Sequence, residues 1–181
     1  MNMKNILNKD IILHVCDDST LYQYIQCKYS RVEKFLWIVN PSDQSIKDIE
    51  ESKILYFKNT VSFYESSPLT SKEYSNYLQN IRFKAINRIL FYNAKSVVFS
   101  ESCSFPKDDF LDTEADVLYY KNKFKNFIFV KNNEKTKTFF YNFEDYLMFE
   151  RKIESGRNLF SIIEFENAFN EIKGDLNVCI K

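Results

Sequence analysis

The sequence predicts an α/β domain built on a mainly parallel sheet. Two observations carry that expectation. In the first hundred residues, short continuous apolar runs alternate with segments of helical spacing, the pattern of parallel strands covered on both faces. The second half carries closer-spaced strand-like runs and then two helical stretches, which predicts an antiparallel hairpin extension followed by two C-terminal helices. At 181 residues, with no internal repeat and no linker-like stretch, residues 1–181 are expected to form a single three-layer domain.

The first run, Ile11–Cys16, is partly β-branched and stops at Asp17-Asp18-Ser19-Thr20. That predicts a buried strand leading into a helix N-terminus, because Asp and Ser favour capping positions. Leu21, Tyr24, Ile25 and Lys28 then fall at helical spacing. Phe35–Val39 reads as a second strand, stopped by Asn40-Pro41, and Ser42 is placed to cap a short helix carrying Ile46 and Ile49. Ile54–Phe57 reads as a third strand. After a loop around Ser66-Ser67-Pro68, Thr70 and Glu73 have capping-box spacing. Tyr74, Tyr77, Leu78, Ile81, Ala85, Ile89 and Tyr92 then recur at three- and four-residue steps, a helix running to about Asn93. Ser96–Phe99 is the fourth strand.

The pattern changes after Glu101. Residues 101–116 form an acidic loop with Glu101, Asp108, Asp109, Asp112, Glu114 and Asp116 against Lys107. Val117–Tyr120, Phe127–Val130 and Thr138–Tyr141 read as strands. The last two are expected to pair through a hairpin turn at Asn132–Lys135, where Asn tolerates left-handed backbone. Phe143–Glu154 and Leu159–Lys173 read as helices, each followed by a glycine suited to the C′ position. Val178–Ile180 is expected at a sheet edge.

Composition excludes several function classes. Gly156 and Gly174 are the only glycines, so no P-loop, no G-x-G-x-x-G fingerprint and no G-x-S-x-G elbow exists. Formal net charge is zero, so nucleic acid or an anionic membrane would have to be held by a local patch. No stretch approaches the ~20 apolar residues of a membrane span, and Lys4, Lys9 and Asp10 rule out a signal peptide. The four cysteines, at 16, 27, 103 and 179, are scattered, and His14 is the only histidine. No metal site is therefore assigned, and reduced thiols in a cytoplasmic protein are expected.

Three features are candidates for function. Asp17 and Asp18 end the first strand, where ligands of open α/β sheets bind, and Asp43 and Glu101 follow the second and fourth strands. Together they could hold a divalent metal or serve as catalytic carboxylates, or the two aspartates could simply cap a helix. Cys16 beside His14 is a weaker candidate for a nucleophile and its base. The second feature is the 121–137 segment, with Lys121, Lys123, Lys125, Lys131, Lys135 and Lys137 interleaved with Phe124, Phe127 and Phe129. It could track a nucleic-acid backbone, though a solvated hairpin is the preferred reading. The third is the aromatic share of 17%, read first as a by-product of an AT-rich coding sequence and otherwise as a selected surface; Phe83 and Phe91 fall off the main stripe of the 71–93 helix, which suits the core and an interface equally.

The first functional expectation is a non-catalytic cytoplasmic protein that binds a macromolecular partner, as inhibitors, immunity proteins and complex subunits do. Lys131, Lys135, Lys137, Phe83 and Phe91 would contact that partner, and a homodimer is a related expectation. No cofactor is required. The alternative is a phosphoryl, nucleotidyl or glycosyl transferase or hydrolase. It would use Asp17, Asp18, Asp43 and Glu101, with a divalent metal as its only cofactor.

Overall fold

The structure is a computed structural model and describes residues 6–25, 27, 31–55, 61–65, 71–100, 110–120, 127–149 and 174–181. Its elements run β1 (Asp10–Cys16), α1 (Leu21–Ile25), β2 (Glu33–Val39), α2 (Asp43–Leu55), β3 (Val61–Glu65), α3 (Ser71–Phe91) and β4 (Ser96–Phe99). A 3-10 turn (Phe110–Asp112) follows, then β5 (Val117–Tyr120), β6 (Phe127–Lys131), α4 (Glu134–Phe149) and β7 (Val178–Ile180). Among the described residues seven strands form one sheet in the order β3-β2-β1-β4-β6-β5-β7. The four strands from β3 to β4 are mutually parallel, β6 is antiparallel to both β4 and β5, and β7 pairs parallel with β5. The fold is therefore α/β, with a mostly parallel sheet and an antiparallel extension.

The central strands are apolar over most of their length, and their alternate residues belong to different clusters of the core. Alternate residues point to opposite faces of a strand. On one face Ile11, Leu13, Phe35, Trp37, Val97 and Val130 share a core with Ile86 and Ile89 of α3 and Phe139, Phe140 and Phe143 of α4. On the other face Leu36 and Ile38 pack with Leu21, Tyr24 and Ile25 of α1 and Ile49 of α2. Farther along the same face, Ile12, Val98, Phe127 and Phe129 pack with Phe110 and Leu111.

α3 is apolar around much of its girth because it packs against β1, β4 and α4 at once. Phe83 consequently meets Phe143 edge-on at 4.8 Å and is 1% exposed, so it cannot contact a partner as the sequence reading had it. Phe91, in the last turn, is 73% exposed.

One expected strand is helix, and so is the described part of another, whose residues 56 and 57 lie outside the described residues. Ile54 and Leu55 belong to the end of α2, and the third strand is Val61–Glu65. β3 lies at the sheet edge and alternates, with Phe63 partly buried and Tyr64 exposed, so a search for a continuous apolar run passes over it. Thr138–Tyr141 lies inside α4, and Asn132–Lys135 is no hairpin turn. Asn133 is instead an N-cap. Its Oδ1 accepts from Thr136 N at 2.9 Å, while Asn133 N donates to Thr136 Oγ1 at 3.0 Å, a reciprocal capping box. Glu134 in the first turn favours the same helix dipole, and Thr136, Phe139, Phe140 and Phe143 form its buried stripe. The antiparallel hairpin is real but uses β5 and β6. The expected Phe143–Glu154 helix is the tail of α4 as far as Phe149; residues 150–173, with the second expected helix, lie outside the described residues, as does Thr70.

Among the described residues, left-handed backbone is supplied by three asparagines and by Gly174, whose φ is 52°. Asn8, Asn40 and Asn93 have φ of 59°, 50° and 58°. Asn93 occupies the C′ position of α3: its N–H donates to Leu90 O at 3.0 Å, and Ala94 N donates to Ile89 O at 3.4 Å, the two bonds of a Schellman motif. Asn132 Nδ2 then closes over this cap, donating to Leu90 O at 3.0 Å and Ala94 O at 2.5 Å. Replacing Asn93 with alanine should therefore cost about 1 kcal/mol, since a Cβ-bearing residue without a helpful side chain pays the left-handed penalty. Asn93→Gly should stay within about 0.5 kcal/mol of the parent. Urea denaturation of both variants checks this, and equal stability of Asn93→Ala and the parent would contradict it.

Candidate functional site

The strand order creates one natural place for a ligand. From β1 the chain steps outward to β2 and β3, then crosses back to lay β4 on the other side of β1. Neighbouring loops diverge at such a switch point, and the crevice outside the carboxyl ends of the strands is where open α/β sheets bind ligands. By that rule the position in this sheet is between the ends of β1 and β4, with Asp17 and Asp18 following β1.

Asp17 holds the loop together. Its Oδ1 accepts from Ser19 N at 3.1 Å, Ser19 Oγ at 2.7 Å, Thr20 N at 3.1 Å and Thr20 Oγ1 at 2.9 Å. Its carbonyl accepts from Leu21 N at 2.8 Å, and its N–H donates to Thr20 Oγ1 at 3.1 Å. This is an N-cap with a reciprocal box, the capping role anticipated from the sequence.

Asp18 reaches across to the next loop. Both of its oxygens lie 3.0 Å from Ser42 N, at the start of α2. Partial burial pulls its carboxyl upward, but hydrogen bonds from Ser45, the Ser42 side chain and the Ser42 amide outweigh that and hold it below the usual range. Ser42 is itself the α2 N-cap, its Oγ accepting from Ser45 N at 3.2 Å. On the outer surface, Tyr22 of α1 donates to Asp48 of α2, which also accepts from Gln44 Nε2 at 2.8 Å. The loops after β1 and β2 thus form one connected rim.

Asp43 is exposed in the first turn of α2, beside Ser42, and Glu101 lies outside the described residues. Among the described residues no group of three His, Cys, Asp or Glu side chains is placed to hold a metal ion. Asp17 Oδ1 is already committed to four donors within its own loop.

Beneath the rim lies a buried polar cluster that the sequence reading only half identified. His14 is fully buried; its ring stacks on Tyr24 at 4.3 Å, and Nδ1 lies 3.1 Å from Ser100 O, just past β4. A carbonyl only accepts, so the neutral ring carries its proton on Nδ1. Burial lowers its pKa to about 3, opposed by the Ser100 bond and aided by the Lys34 charge. Cys16 is also buried, and burial, followed by the charges of Asp17 and Asp18, raises its thiol pKa. A thiol kept protonated beside a histidine that resists protonation is no nucleophile–base pair.

Lys34 was missed. It sits on the buried face of β2, 6% exposed, and Nζ donates to Tyr24 O at 2.8 Å and Ile25 O at 2.9 Å. Burial brings its ammonium down to about 8. The signal was one charged residue at the start of an otherwise apolar run.

From Phe127 to Lys137 the lysine-rich segment is strand β6 and the start of α4, with no hairpin turn at Asn132–Lys135. Phe127 and Phe129 are core residues and cannot stack bases, and residues 121–126 lie outside the described residues. Lys131 ends β6, and its N–H donates to Asp116 O at 2.9 Å. Lys135 Nζ donates to Asp175 O at 3.2 Å, and Lys137 pairs with Glu134 at 3.1 Å. Asp116 in turn accepts from Asn133 Nδ2 at 2.7 Å and Asn177 N at 2.9 Å, so this end of the acidic loop is stitched to the lysine segment instead of forming a separate patch. The expectation of reduced thiols fails at Cys27, which is disulfide-bonded, while Cys16 and Cys179 are free. Scattered spacing in the sequence places no limit on spacing in the fold. Among the described residues no helix is long and apolar enough to cross a membrane.

No protein family and no curated protein matches the sequence. Among solved structures, the fold is similar to that of the apo-form glycosyltransferase GlyE of Streptococcus pneumoniae TIGR4, with a TM-score of 0.55 over 96% of this chain. Identity is 10%, and the chain spans 45% of that protein's length. At that identity the likeness concerns the fold alone.

The buried histidine makes stability depend on pH. The unfolded chain binds a proton near pH 6.5 and the folded chain only near 3, so the unfolded state holds more protons between those values. Stability from this group is complete above 6.5 and is lost as pH falls toward 3. Between pH 7 and pH 5 the loss should be about 2 kcal/mol. His14→Gln, which can still donate to Ser100 O, should remove that part of the slope in urea titrations at the two pH values. An unchanged slope would mean that His14 charges in the folded protein.

Proposed function

We propose that the chain binds a nucleotide-activated sugar across the carboxyl ends of β1, β2 and β4 and acts as a glycosyl transferase. The observation that carries this reading is the Asp18 carboxylate, held below the usual carboxylate range by Ser42 and Ser45 where the loop after β1 meets the start of α2. A carboxylate accepts hydrogen bonds and repels phosphate. The reading therefore gives Asp18 the ribose hydroxyls or a base N–H of the donor, with the diphosphate directed away from the aspartate pair. Asp17 keeps its capping bonds and supports the turn. The similarity of fold to a glycosyltransferase is compatible with glycosyl transfer on this scaffold. In this reading the carboxylate alternative displaces the non-catalytic one.

A second reading, attachment to a protein partner or to a second copy of the chain, is favoured by Phe91 and Tyr141, which are 73% and 62% exposed on α3 and α4. Light scattering that returns only the 21.7 kDa monomer at tens of micromolar would remove the second-copy form of it.

Thermal unfolding and calorimetry with uridine, guanosine and cytidine diphosphates and their hexose conjugates test the first reading. A ligand at ten times its Kd stabilises the fold by about 1.4 kcal/mol. One nucleotide class should raise the midpoint, and Asp18→Ala should weaken its binding at least tenfold with the fold retained. Failure of every nucleotide sugar to stabilise the protein at millimolar concentration would overturn it.

A further inference from the structure

We propose that Lys34 is the positioning residue of the candidate site, holding α1 and, through it, the turn that carries Asp17 and Asp18. The inference rests on the nucleotide-sugar reading for its functional consequence, but not for its structural content. α1 has five residues, Leu21–Ile25, and a single turn of helix does not persist on its own hydrogen bonds. Something must hold each end. At the amino end Asp17 caps the turn from its own loop. At the carboxyl end, Lys34 Nζ donates to the carbonyls of Tyr24 and Ile25 at 2.8 and 2.9 Å, where the helix has acceptors left over and a cation suits the dipole. Between the two ends, the Tyr24 ring lies on His14 at 4.3 Å.

The anchor is rigid because Lys34 stands on β2 directly beside Ile12 of β1, inside the parallel ladder. An apolar side chain in that place would avoid the cost of desolvating an ammonium. What the lysine adds is two directed bonds onto α1. The chain of support runs from β2 through Lys34 to the end of α1, back along α1 to the Asp17 cap, and from there to Asp18 and its contact with Ser42 N.

Lys34→Met, nearly equal in volume but without donors, should speed amide hydrogen exchange in residues 18–25 at least tenfold, while β4 and β6 exchange as in the parent. It should also weaken binding of the nucleotide sugar found with the parent about tenfold. Lys34→Arg, which keeps donors for both carbonyls, should restore protection and binding together. General destabilisation would raise exchange across the sheet as well, so the local pattern with arginine rescue separates positioning from a purely structural role. Unchanged exchange in 18–25, or parent-like binding by Lys34→Met, overturns the inference. If the parent binds no nucleotide sugar, the functional reading falls, and the exchange result alone still decides whether Lys34 holds the turn. If Lys34→Met does not fold, Lys34→Gln is read by the same two measurements and should lie between parent and loss, parent-like values in both overturning the inference.

Discussion

The burial of β1 on both edges and both faces is the constraint on which the rest of the fold depends. β1 pairs with β2 on one side and β4 on the other, and Ile11, Ile12, Leu13 and His14 have no exposure. A strand in that position can have parallel neighbours only if the chain returns over a face each time, which places helices on the sheet. The chain also crosses back over β1 between β3 and β4, which puts the switch point of the sheet at the ends of β1 and β4. The same burial governs His14, lowering its pKa to about 3 while Nδ1 faces the Ser100 carbonyl.

Much of this was legible from residue pattern. β1, β2 and β4 were readable because a strand buried on both faces is continuous in apolar residues, and the cap at Asp17 was readable because Asp and Ser precede a helical period. β3 was not readable by the same rule, since an edge strand alternates. The β6–α4 connection failed for a different reason. Asn132-Asn133 suits a hairpin turn and a helix cap equally, and the four β-prone residues Thr138–Tyr141 tipped the choice toward a strand. The period of Thr136, Phe139, Phe140 and Phe143 held the answer but was cut by the assumed strand boundary.

The candidate site was legible in its location and less so in its wiring. The aspartates stand at the carboxyl end of β1 as expected, but their bonds go to serine and threonine partners and to the start of α2. A polar pair across two βα loops depends on strand order, and strand order is not written in local spacing. Lys34 was hidden for the same reason. Its meaning comes from α1 crossing above it, which a strand pattern alone does not reveal.

The three asparagines with positive φ bear on the unfolded chain as much as on the folded one. Glycine at Asn8, Asn40 and Asn93 would relieve a small steric strain in the native turns, yet it would also enlarge the set of conformations available before folding. With asparagine, each turn starts from a narrower ensemble and so loses less entropy when it closes. These turns lie just before β1, after β2 and at the end of α3, all bordering the central strands. Conformational freedom is therefore already reduced in the denatured chain at the junctions the sheet needs to assemble.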